Sequence, residues 1–218
     1  MNTKTREKMK NPWVYILVTF AWTWLFWGIG ILRNVSMEST GGFLILLLGV
    51  LGPLITGILF TYLTKEKKER KDYWKRVFSF KRISWKWYLV IILFVPALNI
   101  LAALIDLLLG GTGATVGETL QNALTDPLGI VFSLIFSSLI PFIEELGWRG
   151  YVLDRFQEKN NALVSSLILG VVWSLWHLPM FFIRDSYQAG LGVGTLAFWL
   201  FLIGVVPLGF AFTWIYNN

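Results

Sequence analysis

An all-helical, polytopic membrane bundle of about six spans is the fold class that three observations predict. The 218-residue sequence is 56% apolar and only 15% charged, with a mean hydropathy of +0.62, a balance foreign to soluble domains. Six apolar stretches approach the ~20 residues that a helix needs to cross a bilayer. The basic residues gather in alternate connections between those stretches, as the positive-inside rule requires of a multi-pass protein.

The spans are Trp13–Leu32, Phe43–Thr64, Trp87–Leu109, Leu128–Phe142 with a polar extension, Asn161–Ile183 and Thr195–Tyr216. The first follows a basic tail but is long and Trp-rich. No small-residue cleavage pattern follows it, so it reads as a retained signal-anchor. In the second, Gly49, Gly52 and Gly57 surround Pro53, which fits a kink or close helix packing. In the third, Asp106 lies near the outer end within reach of water, and Asn99 is placed to hydrogen-bond a neighbouring helix. The Gly-Gly-Thr-Gly run at 110–113 has no strand before it and reads as a flexible external loop, not a phosphate loop.

Charge orients the spans. Lys4, Arg6, Lys8 and Lys10 lie in the amino-terminal tail, ten Lys or Arg lie between Lys65 and Lys86, and Arg149, Arg155 and Lys159 separate the fourth and fifth spans. Seventeen of the 19 basic residues thus fall on one side, leaving Arg33 and Arg184 on the other, and both termini are expected in the cytoplasm. The net charge of +6 flanks apolar spans instead of forming a nucleic-acid surface, so no nucleic-acid partner is expected. Zero cysteines exclude disulfides, zinc–thiolate sites and cysteine nucleophiles. The stretch Lys65–Lys86 mixes Trp74, Phe78, Phe80 and Trp85 with its charges. It reads either as an ordinary cytoplasmic loop or as an amphipathic segment against anionic membrane lipid.

The chemistry concentrates around Glu144 and Glu145, two adjacent acids at the end of an apolar span. A charge within a bilayer costs roughly 2.5–3.5 kcal/mol on insertion scales, so such a pair marks a functional site. Glu145 and Arg149 are spaced i, i+4 and share a helix face. Glu144 points about 100° away from Glu145. One acid is then held by the arginine while the other is free to serve as a general base. His177, the chain's sole histidine, lies in the next span. Glu144 and His177 are equidistant from the Asn160–Asn161 turn signal, about 16 residues away on either arm, which at ~1.5 Å per residue sets both ~24 Å from the tip. Trp173, one turn before His177, walls the same face, and Pro179 loosens the helix beyond it. Taken singly, the histidine reads as a packing residue and the Glu–Arg pair as a structural lock; the full set reads as a site.

The run Glu144-Glu145-Leu-Gly-Trp-Arg149 resembles the Glu-Glu-x-x-x-Arg motif of the CPBP family of membrane proteins, which includes the CAAX proteases and the bacteriocin-processing (Abi) proteins. Trp173-Ser-Leu-Trp-His177 resembles its second motif, and Phe210–Asn218 resembles the segment leading into its last core helix. The likeness covers roughly residues 128–218, so 1–127 is expected as an amino-terminal membrane region of three spans and 128–218 as the family core.

The resemblance implies an intramembrane endopeptidase in a bacterial plasma membrane, acting on a peptide or protein substrate. It implies that Glu144 activates water with His177, that Glu145 and Arg149 shape the site, and that Trp148 and Trp173 line the substrate pocket. The family is commonly described as metallo-type, so a zinc ion between Glu144 and His177 is a further expectation. The family's later His/Asn motif falls after the equivalent of Asn218, so the sequence is expected to be a truncated version of a longer protein or a natural short form with an impaired site. A non-catalytic immunity or scaffold protein of the same family is the rival reading. A transporter has nothing to support it beyond polytopy. Homo-oligomerisation stays open.

Overall fold

The structure is a computed structural model that describes residues 3–79, 81, 83–111, 121 and 125–218, without the side chains at 3, 95, 96, 99, 127 and 130–138. The expectations for Asn99, Phe80, Thr112 and Gly113 fall outside the described side chains or residues. The elements are α1 (Thr3–Met9), α2 (Pro12–Leu32), α3 (Thr40–Val50), α4 (Gly52–Thr64), α5 (Lys67–Phe78), α6 (Trp85–Leu108), α7 (Pro127–Gly147), a π-helical turn (Trp148–Leu153), α8 (Asp154–Gln157), α9 (Ala162–Trp176), a 3-10 turn (Leu178–Phe182), α10 (Tyr187–Leu191) and α11 (Leu196–Asn217). All regular structure among the described residues is helical.

Four segments are long and apolar enough to cross a membrane among the described residues: Pro12–Leu32, Thr40–Thr64, Ala162–Phe182 and Leu196–Asn217. The apolar helices α6 and α7, of 24 and 21 residues, are also long enough to span. The chain is an integral, multi-pass helical membrane protein.

It forms two compact units, one of residues 1–78 and 142–218, the other of 79–141. The first unit thus joins the first two spans with the last two. In the first unit, α2 lies along α3 and α4 through polar threads in an apolar interface. Thr19 and Thr56 share a hydrogen bond of 2.7 Å, and the Tyr15 hydroxyl donates to the Pro53 carbonyl at 3.1 Å. The second span breaks at Leu51, between α3 and α4. Pro53 has no N–H to give the Gly49 carbonyl; Thr23 Oγ1 donates to it instead, at 2.8 Å. The glycines here mark close approaches: a Cβ on Gly49 would lie 2.0 Å from the Trp27 indole nitrogen, and one on Gly57 would lie 2.8 Å from Gly147 Cα.

Asn161 caps α9 by accepting from the Val164 N–H at 2.9 Å, so the Asn-Asn pair does end the turn between the two arms. The basic stretch after α4 is not a plain loop, since residues 67–78 are helical. The fifth span is interrupted as well. Residue 177 caps α9, and the chain continues as a 3-10 turn. Pro179 explains this, because it cannot donate within a continuing α-helix.

The α9–α11 hairpin meets at Gly170 and Gly209, where a Cβ on Gly209 would sit 2.9 Å from Gly170 Cα and one on Gly170 would sit 2.9 Å from the Val206 carbonyl oxygen. Backbone cannot give way there, so Gly170→Ala is expected to lower the thermal stability of the detergent-solubilised protein by about 1–3 kcal/mol. Gly204→Ala, on the open side of α11 with nothing within 4 Å, is expected to stay within about 0.5 kcal/mol of the parent.

Candidate functional site

Four elements converge on the acids: the end of α7, the π turn, the end of α9 and the middle of α11. The π turn places one residue too many in a helical circuit, a distortion that recurs at functional sites. Here it buries Trp148, Tyr151, Val152 and Leu153 completely. Tyr151 packs against Tyr15 and Phe60 at ring distances of 5.3 and 5.8 Å, and its hydroxyl meets Thr64 Oγ1 at 3.1 Å. Gly147 lets α7 come this close, since a Cβ there would lie 2.1 Å from the Pro53 carbonyl oxygen.

The two glutamates separate as the helical geometry predicts. Arg149 Nη1 donates to Glu145 Oε1 at 2.6 Å across one turn. Glu144 turns away and is 6% exposed; its Oε2 accepts from the Trp173 indole N–H at 2.9 Å. Arg149 is 3% exposed. Its guanidinium lies over the rings of Trp173 and Phe212, at 5.2 and 5.3 Å, and Nη2 donates to the Gly209 carbonyl at 3.3 Å. Fork geometry and a planar face make arginine suited to this double duty. Gly209 lies outside the runs that carry the resemblance, and Phe212 lies within Phe210–Asn218 but has no role assigned to it there; both contact Arg149. Their separation of about 60 residues from Arg149 leaves no local signal beyond an aromatic three residues after a glycine.

His177 is oriented through Trp173 as well. At the end of α9 the His177 N–H bonds Ser174 O at 3.2 Å in a tightened turn. The Trp173 carbonyl, left without that partner, meets His177 Nδ1 at 2.8 Å. A carbonyl only accepts, so Nδ1 carries the proton and Nε2 presents a lone pair. The imidazole is half-buried. It packs edge-on to Trp176 at 4.9 Å and to Phe201 at 5.5 Å. The Trp176 carbonyl, also released at this break, accepts from Trp24 Nε1 at 3.2 Å, and Trp176 Nε1 donates to Thr23 Oγ1 at 3.0 Å.

The structure therefore gathers Glu144, Glu145, Arg149, Trp173 and His177 around the Trp173 indole and backbone. The residue bonded directly to Glu144 is Trp173, one turn before His177. Trp148 is wholly buried behind the π turn, against Tyr15 at 5.9 Å and Trp176 at 6.0 Å, and supports the site from within the bundle.

A zinc ion usually takes three protein ligands plus a water at a catalytic site. Among the described residues no group of three or more His, Asp or Glu side chains is placed to hold a metal. Glu144 and His177 are two donors, and Glu145 is committed to Arg149. Among the described residues this set falls short of the usual three protein ligands of a catalytic zinc.

Comparison with known proteins gives a matching family and a matching relative. The family of type II CAAX prenyl endopeptidases, Rce1-like, matches residues 126–218. A CAAX prenyl protease 2 of Methanococcus maripaludis is 30% identical over 207 residues, which are 94% of this chain and 75% of that protein.

The Glu145–Arg149 pair gives a stability test. Arg149→Leu leaves Glu145 without its cation and is expected to cost about 3–5 kcal/mol in thermal unfolding. The double variant Glu145→Leu/Arg149→Leu removes both charges and is expected to recover much of that loss. A double-variant loss equal to the sum of the Arg149→Leu and Glu145→Leu losses would show that the pair is not coupled.

Proposed function

Since the chain belongs to the CPBP family of CAAX-type intramembrane proteases, we propose that it is an intramembrane endopeptidase in which Glu144 activates the hydrolytic water. The observation that carries this reading is the division of labour between the two acids. Glu145 is neutralised by Arg149, whereas among the described residues Glu144 takes one neutral donor, the Trp173 indole, on Oε2, and its Oε1 is the oxygen that takes the hydrolytic water. The Nε2 lone pair of His177 can accept the second hydrogen of that water.

The reaction then balances as follows. Water gives a proton to the Glu144 carboxylate as its oxygen attacks the scissile carbonyl carbon. The C–N bond breaks, and Glu144 passes the proton to the leaving amine. Trp173 is a positioning residue that fixes Glu144 through its side chain and His177 through its carbonyl. A polypeptide carrying a carboxyl-terminal CAAX sequence is the substrate class that the family suggests. The charge asymmetry supports a site entered from the cytoplasmic side of a plasma membrane, with both termini on that side.

The test is cleavage of a farnesylated CAAX peptide by the purified full chain, read by mass spectrometry. Glu144→Gln is expected to abolish release of the last three residues while thermal stability stays near the parent's. His177→Ala is expected to lower the rate by about 10²–10⁴-fold. Trp173→Phe should reduce kcat with little effect on KM, as expected of a positioning residue. Full activity in Glu144→Gln would eliminate the mechanism. An inactive parent that still confers its cellular function after the Glu144 change would favour the immunity or scaffold reading.

A further inference from the structure

We propose that the outward face of α5 is a docking surface for the anionic lipid headgroup layer. The helix begins at Lys67, three residues after the spanning segment ends at Thr64. At no more than ~3.6 Å per residue, its start lies within about 11 Å of the end of the span, near one Debye length of the bilayer surface.

Its two faces differ. Towards the protein, Tyr73 is 1% exposed and its hydroxyl donates to the Leu146 carbonyl at 3.0 Å, directly after the Glu144–Glu145 pair. Burial pushes the Tyr73 phenol up to about 12, so it remains a donor. One turn on, Arg76 donates to Asp154 at 3.0 Å. Away from the protein, Lys67, Lys68, Lys71 and Lys75 are all exposed. None of these four is ion-paired among the described residues.

The acids of the helix are otherwise engaged. Glu69 accepts from the Glu66 N–H, and Asp72 reaches Arg76. Beside the lysines, the rings of Trp74 and Phe78 stack at 5.7 Å and 13°, with Phe78 66% exposed. Lysines with an adjacent aromatic pair on one face, next to a span, have the chemistry of an interfacial helix on acidic lipid. An acidic polypeptide would satisfy the lysines but gives no reason for an aromatic pair at bilayer level. The proposal does not depend on the peptidase reading, although its inner contacts would carry lipid occupancy to the Leu146 carbonyl.

The test uses the full chain in nanodiscs of phosphatidylcholine alone, or with a third of the lipid replaced by phosphatidylglycerol. Amide hydrogen exchange is followed in the peptide covering 67–78. Exchange is expected to slow several-fold with the anionic lipid. The effect should vanish in high salt and in the variant Lys67→Glu/Lys68→Glu/Lys71→Glu/Lys75→Glu. These four side chains are exposed, and the salt titration needs only the unmodified protein. Identical exchange in both bilayers overturns the proposal. So does slowing that survives salt, or slowing that requires an added acidic polypeptide.

Discussion

Every backbone carbonyl that a broken helix releases inside an apolar bundle must find another donor, and this demand governs the arrangement of the molecule. The breaks at Leu51, in the π turn and at His177 each free such groups. Side chains answer at each break, most of them from elsewhere in the sequence. Leu46, Leu48 and Gly49 around the first break accept from Trp27, Trp22 and Thr23. Leu146, at the entrance to the π turn, accepts from Tyr73. Trp173 and Trp176, at the last break, accept from His177 and Trp24. The abundance of tryptophan is explained in part by this need, because indole offers a large apolar body with a single donor.

The same demand connects the site to the bundle. Trp173 donates to Glu144 and accepts from His177, so one residue determines where both catalytic candidates point. Arg149 combines a charge partner, a carbonyl and two aromatic faces from three different elements. Further along, Asp154 binds the end of the π turn to three elements. Lys65 approaches it at 3.7 Å, Arg76 at 3.0 Å and the Tyr216 hydroxyl at 2.9 Å, while Arg76 also bonds Tyr216. Burial lowers the affinity of the Lys65 amine for its proton, and Asp154 opposes that effect.

What the sequence revealed was local. The helical bundle followed from span length and charge placement. The Glu145–Arg149 contact followed from a spacing of four, the turn before α9 from two asparagines, and the break in the second span from glycines around a proline. Non-local packing was hidden. Nothing near Arg149 announces Gly209 or Phe212, and nothing in the basic stretch singles out Tyr73 as the residue that reaches Leu146. The equal-arm argument treated both arms of the hairpin as uniform helices. A π turn in one arm and a break at residue 177 in the other make that spacing rule inexact, and Trp173 is the residue that bonds Glu144. Trp148 looked suited to a pocket wall because of its place in the motif, but the π turn rotates it into the bundle.

The commitment of His177 Nδ1 to the Trp173 carbonyl has a consequence in terms of occupancy. The imidazole retains one unshared electron pair, and that pair can serve one guest at a time. A water that donates to the ring and any second donor are therefore competing occupants of a single acceptor position. Their relative populations follow a simple competitive isotherm, in which each guest multiplies the apparent dissociation constant of the other by one plus the ratio of its own concentration to its own dissociation constant.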